Sequence, residues 1–158
     1  MPEISPENRR ELEKRYRTTV LVIVFQIFTV IALIVVAWFL AQSSESLITN
    51  QSLMTLWAAV LFIAIGAFAV RRLIFSWERL KNNAILKGVK GLIQTLQINS
   101  IFLGVIAEIV GVLGFLIAVL SGNKWEMFRA GAIALVVFLA NFPRKSTWEK
   151  IVANLEKI

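Results

Sequence analysis

The sequence lacks the residues that carry most protein chemistry. Its 158 residues include no cysteine, no histidine and no aspartate. The missing cysteine excludes a disulfide framework, a thiol nucleophile and an iron–sulfur centre, and without histidine or aspartate the usual zinc, haem and triad sites cannot be built. General acid–base or nucleophilic catalysis needs a second positioned group beside an acid. We therefore expect no enzyme, no metal site and no cofactor.

Charge is also scarce. Only 17% of the residues are charged and 58% are hydrophobic, whereas an average soluble domain is about a quarter charged and about half apolar. The mean hydropathy is +0.73. The composition predicts an integral membrane protein, and one domain's length of chain leaves no room for a separate soluble catalytic domain.

Four apolar stretches are long enough to be membrane spans, since the hydrocarbon core of about 30 Å needs about 20 helical residues. The first is too long for the apolar region of a signal peptide, which has about 7 to 15 residues. We predict an all-α fold in which residues 1–158 form a single domain of four transmembrane helices in an up-down bundle. The spans are residues 18–41, 53–70, 98–120 and 127–142.

The basic residues indicate the orientation. All but two of the 17 lysines and arginines lie in the amino-terminal tail, the middle loop and the carboxyl tail, and only Lys124 and Arg129 lie on the other side. Cytoplasmic flanks carry the excess of positive charge, so we predict a multi-pass protein of the cell membrane with both termini cytoplasmic. Charges at these positions need no phosphate partner, and nucleic-acid binding is not expected.

The flanking segments are predicted to be helical. A charged helix from about residue 6 runs into the first span, and the middle loop is a helical extension that breaks near Gly88 and Gly91. The basic and apolar residues of the middle loop are typical of an interfacial anchor. Alternatively, they bind anionic lipid headgroups specifically. Residues 146–158 form an amphipathic tail that we expect to lie along the cytoplasmic interface.

Glu108 is the only carboxylate deep inside an apolar segment. An ionisable group there costs a few kcal/mol on insertion scales, so it normally faces protein or water and marks a pathway or a binding site. A stripe of small residues, which lets helices approach closely in membranes, runs beside it. We therefore expect Glu108 at the edge of a helix–helix contact. The helix-packing stripe comprises Ser100, Gly104, Ala107, Gly111, Gly114 and Ala118.

Other polar groups give weaker signals. In an antiparallel hairpin of the third and fourth spans, Arg129 lies about 12 Å from Glu108 along the axis, so we expect it to extend to the outer surface or to pair across subunits. Gln26, Thr29 and Thr55 could supply donors inside apolar segments. Threonine, however, commonly bonds its own backbone carbonyl.

The run from Ile106 to Val119, IAEIVGVLGFLIAV, resembles the ion-carrying helix of rotor-ring proteolipids, the c subunits of rotary ATP synthases and vacuolar-type ATPases. In that family an Ala-Glu pair precedes spaced small residues. The resemblance, which covers residues 98–122, implies that Glu108 binds a proton or a sodium ion. The whole chain is also similar to small four-span bacterial membrane proteins of unassigned function that share a Phe-Pro-Arg-like sequence, here residues 142–144.

Two functions stay open. In the first, the protein is a non-enzymatic subunit of a larger or homo-oligomeric membrane assembly, Glu108 binds a proton or sodium ion in a proteolipid-like manner, and copies pack through the helix-packing stripe. In the alternative, it is a purely structural accessory or scaffold subunit in which Glu108 is a neutral acid that hydrogen-bonds to a neighbouring helix. The expected partners are the lipid bilayer and other membrane subunits or copies of the chain.

Overall fold

The computed structural model describes residues 4–41 and 46–156, which form five helices and, within these ranges, no strand. The helices are α1 (Pro6–Leu40), α2 (Asn50–Ile74), α3 (Trp77–Ser121), α4 (Lys124–Asn141) and α5 (Lys145–Leu155). Four helical stretches are long and apolar enough to cross a membrane, the fourth extending from Lys124 to Leu155 over α4 and α5. The predicted all-α class with four long apolar helices is confirmed.

The four long helices alternate in direction. The contacts between α1 and α3 advance in the same chain direction along both helices, so these two helices run parallel. The contacts between α2 and α4 do the same, whereas α3 and α4 are antiparallel. The contacts that fix these directions are Gln26 with Gly104, Val30 with Gly111, Trp57 with Glu126, Arg71 with Ala140 and Gly114 with Ala130. We call the end with Pro6 and α5 the head end, and the end with the α3–α4 turn the far end.

The helical flanks agree with the sequence. α1 begins at Pro6, a residue whose fixed φ suits the first helical position, and continues without interruption for 35 residues. In α3 the break falls at Gly88, which has φ 67° and ψ −178°. Only glycine adopts that conformation easily because a Cβ would clash with the backbone. Gly91 stays helical, so the predicted break is confirmed at Gly88 alone.

The carboxyl-terminal helix α5 packs against the other helices. Its apolar face, with Trp148, Val152 and Leu155 at most 2% exposed, packs on the amino-terminal part of α1 and on α3. This packing arises because α1 and α3 extend beyond their apolar spans and offer apolar side chains of their own. The location of the tail along the cytoplasmic interface stays a prediction. Residues 157–158 of the predicted tail lie outside the described residues. We call this second cluster the head; its buried residues are Leu12, Leu80, Leu92, Ile93, Leu96, Trp148, Val152 and Leu155.

Polar contacts close the head around the two ends of the chain. The Glu156 carboxylate accepts hydrogen bonds from the Ser5 amide at 3.2 Å and from Asn8 Nδ2 at 2.8 Å. Burial raises the pKa of Glu156, but these donors outweigh it and hold that pKa below its usual range. Lys145 pairs with Glu13 at 3.0 Å, and its hydrogen bond and charge lower the pKa of Glu13. The start of α1 and the end of α5 are thus tied together.

Candidate functional site: a carboxyl at the edge of the α1–α3 contact

The helix-packing stripe is buried inside one chain. All six of its residues are buried, and a Cβ added at Gly104 or Gly111 would collide with α1 side chains, while one added at Gly114 would collide with Ala130 of α4. Close packing of this kind is what small residues permit in a membrane. Because α1 and α4 already cover the stripe, a second copy of the chain would have to use another face.

Glu108 lies where this packed face of α3 ends. It is one turn after Gly104 and about one turn before Gly111, and its own exposure is intermediate. Its neighbours on the other side, Val105 and Ile109, are 38% and 43% exposed. Glu108 therefore lies at the edge of a helix–helix contact, where the sequence led us to expect it.

Glu108 has no polar partner in the described part of the chain. No hydrogen bond or ion pair reaches its carboxyl there, and Arg129 is engaged elsewhere. A carboxyl between a packed helix face and an apolar surface needs a proton, a cation or a donor from another molecule to offset its desolvation. Within residues 4–41 and 46–156, nothing supplies one.

A second polar group lies one turn from Glu108, on the facing helix. Gln26 of α1 is 6% exposed, and its Oε1 atom rests on Gly104 without a hydrogen-bond partner among the described residues. The group that it meets there is the Cα–H of Gly104, a weak donor at most. Gln26 is thus an acceptor that the chain leaves unsatisfied. The two threonines behave as expected: Thr29 and Thr55 each donate to the backbone carbonyl four residues earlier.

Sequence reasoning missed a second buried acid, Glu126, in the first turn of α4. It is 6% exposed and accepts hydrogen bonds from Trp57 Nε1 at 2.8 Å, Asn123 Nδ2 at 3.2 Å and an Arg129 guanidinium nitrogen at 3.1 Å. Arg129 therefore pairs within its own helix, with its side chain 69% exposed. A signal was present: Asn123 and Glu126 have the spacing of a capped helix start. Trp57, on another helix, could not be foreseen.

Comparison with known proteins adds no relative. No protein-family model, curated protein or solved structure matches this chain. Function is therefore inferred from the side chains themselves, and the likeness of the third helix to rotor-ring proteolipids stays a prediction.

Proposed function

We propose that the protein is a multi-pass protein of the cell membrane with both termini cytoplasmic. Large apolar side chains cover the outward surfaces of all four long helices, among them Phe25, Phe62, Phe102 and Leu139, which are 51–80% exposed. A surface of this kind is stable in lipid and not in water. At the far end, Lys124 lies 3.9 Å from the ring centroid of Trp38, within a cluster of aromatic rings of the type found at membrane interfaces.

Within that membrane, we propose that the protein is a non-enzymatic subunit of a larger or homo-oligomeric assembly in which Glu108 meets a helix from outside the chain. The observation that carries this proposal is that the half-buried carboxyl of Glu108 has no polar partner among residues 4–41 and 46–156. A carboxyl turned toward hydrocarbon is costly, and a hydrogen bond across a helix contact offsets that cost. A neutral acid can both donate and accept such a bond.

The surface next to Glu108 has the pattern of a helix-packing seam. Large apolar residues recur along α3 in alternating steps of four and three, which is the spacing that places knobs of one helix into holes of another. These residues are 38–55% exposed in the chain, so nothing in the described part covers them fully. We call this set the outer seam: Ile98, Phe102, Val105, Ile109, Val112 and Leu116.

Cysteine cross-linking tests the assembly, because the chain has no cysteine of its own. Ile109→Cys lies on the outer seam at 43% exposure, and Ile65→Cys on α2, 69% exposed, is the matched control. Under mild oxidation in native membranes or with a short cross-linker, we expect Ile109→Cys to join to a second copy or to another membrane protein, and Ile65→Cys to stay single. Equal cross-linking of the two variants would contradict the proposal.

Variants of Glu108 separate the carboxyl from the seam. In the Ile109→Cys background, we expect Glu108→Gln to keep most of the cross-link, since an amide still hydrogen-bonds. Glu108→Leu should lose the cross-link, although a leucine side chain is stable in lipid. If Glu108→Leu cross-links as well as the parent, the carboxyl plays no part in assembly.

A second candidate function is proton or sodium binding at Glu108. It is favoured by the unsatisfied Gln26 acceptor beside the same stretch of α3 and by the proteolipid-like sequence. A hydrophobic carbodiimide should then modify Glu108 in lipid, with less adduct as the pH rises or sodium is added, as mapped by mass spectrometry. Glu126 is the internal control because its carboxylate is paired. An unreactive Glu108 in folded protein would remove this candidate and leave the assembly role.

A further inference from the structure

Buried polar side chains collect in one part of the bundle. Outside the far end, the described residues with buried polar side chains are Thr19 and Gln26 of α1, Ser100 of α3 and Asn141 of α4, each at most 7% exposed. All four lie toward the head end of their helices. Glu126, at the far end, has its own donors. The hydrogen bonds of Glu126 therefore do not explain why the other four polar side chains are buried near the head end.

The helix register brings Gln26 and Asn141 to one level, and Ser100 lies one turn of α3 closer to the head end than Gly104. Gly114 of α3 packs on Ala130 of α4. Because α3 and α4 are antiparallel, moving ten residues toward the head end along both helices brings Gly104 level with Ala140. Asn141 therefore lies near the level at which Gln26 rests on Gly104. Asn141 follows Ala130 by 11 residues, about three turns, and so lies on the same buried face. We call this place the α1–α3–α4 junction.

Two acceptors at the junction have no donor. Gln26 Oε1 and Asn141 Oδ1 are the buried side-chain atoms without a hydrogen-bond partner in the described chain. The amide group of Asn141 is oriented by its own bond, because Nδ2 donates to the Val137 carbonyl at 2.9 Å. Both unsatisfied atoms are amide carbonyl oxygens, so a small molecule that donates two hydrogen bonds can satisfy both. An internal water, which typically makes about three hydrogen bonds to buried polar groups, has this chemistry.

We propose that the α1–α3–α4 junction holds an internal water that donates to Gln26 Oε1 and Asn141 Oδ1, with the Ser100 hydroxyl as its third partner. Entry is from the head end. On that side lie Thr19 and the hydrogen-bonded pair of Arg15 and Gln97, whose nitrogen and oxygen are 2.8 Å apart.

Beyond the junction, toward the far end, the packing is apolar. Val30, Ala107, Ala134 and Val137 are at most 1% exposed and carry no polar side-chain atom. Buried water therefore finds no side-chain partner among these four residues.

Cysteine reactivity tests the water site. Ser100→Cys is close to isosteric, and Ala107→Cys, on the same stripe and equally buried, is the control. Thiols react with methanethiosulfonate-ethylammonium as thiolates, which form only where water reaches them. In lipid nanodiscs we expect Ser100→Cys to react at least tenfold faster than Ala107→Cys. Equal rates would overturn the proposal.

A further variant tests whether the reactivity of Ser100→Cys depends on the junction and not only on its distance from the head end. Gln26→Leu removes one acceptor and fills its place with an apolar side chain. We expect Gln26→Leu to slow the reaction of Ser100→Cys to the rate of Ala107→Cys and to leave the rate of Ala107→Cys unchanged. If Gln26→Leu does not slow Ser100→Cys, the water site is contradicted. On the unaltered protein, an experimental structure that resolves ordered water must show density between Gln26 and Asn141, and its absence overturns the proposal whatever the variants do. Neither readout depends on Glu108, so the water site can fail or stand apart from the function of that carboxyl.

Discussion

Two glutamates lie within the helical bundle, and the fold surrounds them differently. Glu126, in the first turn of α4, is 6% exposed and accepts from three side chains, one of which belongs to α2. Glu108, in the middle of α3, is half-buried and has no partner among the described residues. A satisfied acid joins elements of its own chain, whereas an acid without a partner among the described residues fits the proposed contact with another molecule. The difference separates a structural carboxyl from a candidate functional one.

Position on the helix explains part of this difference. Glu126 lies where the N–H groups of a helix start are free and the helix dipole favours negative charge. Glu108 has no such help, because mid-helix amides are already bonded. Only side chains of other helices or molecules can satisfy it.

The largest effect is expected when Glu126 is removed. Glu126→Leu deletes the acceptor of the Trp57 indole and of the Arg129 guanidinium. It should lower the free energy of unfolding by about 1.5–3 kcal/mol, the range for hydrogen bonds to a charged group. Glu108→Leu should leave the stability of the isolated chain within about 0.5 kcal/mol, as is usual for a side chain without partners. Denaturation of both variants in the same lipid–detergent mixture measures this, and equal losses would erase the contrast between the two acids.

The packing that lies between the two acids gives the next effect. Gly114→Ala places a methyl group against the Cβ of Ala130, which is held by its backbone and cannot move aside. Overpacking of this kind costs about 1–3 kcal/mol. Gly66→Ala is the control, because a Cβ there meets nothing within 4 Å and alanine is the better helix former by up to about 1 kcal/mol. Thermal unfolding should show opposite signs for the two variants; the same sign would mean that the α3–α4 contact is loose.

A smaller effect isolates one donor of Glu126. Trp57→Phe keeps the ring but removes the indole N–H and should cost about 1 kcal/mol. Trp77→Phe is its control, since Trp77 is 49% exposed and its loss removes no such bond. Chemical denaturation followed by the remaining tryptophan fluorescence gives the comparison. If both substitutions cost the same, the Trp57 bond does not hold Glu126.

The exposed acids of the head give the smallest effect. Hydrogen bonds and charge from Lys90 and Lys145 lower the pKa values of Glu7 and Glu13 from 4.5, and the pKa of Glu156 is lowered as well. Carboxylates with lowered pKa stabilise the fold above the unfolded value and lose that contribution as the pH falls toward the folded one. The melting temperature should therefore drop as the pH falls below 4.5, and less so in Glu13→Gln. An identical drop in that variant would show that the Glu13 pair contributes nothing.

Much of the architecture was accessible from the sequence because hydrophobicity and charge act locally. The apolar runs, the helix start at Pro6 and the break at Gly88 each depend on a few neighbouring residues. The head was not foreseen in this way. Its core requires Leu12, Leu80 and Trp148, which are far apart in the chain, to meet, and no local pattern states which partners an amphipathic helix will find.

The same division applies to the candidate site. Spacing along a helix is a property of one segment, so the sequence alone places a lone acid and a stripe of small residues on the third long helix. The packing of the other helices fills the stripe with α1 and α4. Among the described residues, it leaves the side-chain oxygens of Gln26 and Asn141 without donors, and it gives Glu126 three donors and Glu108 none. Whether a buried polar group is satisfied depends on atoms brought from other helices, so packing, and not sequence spacing, separates the two acids.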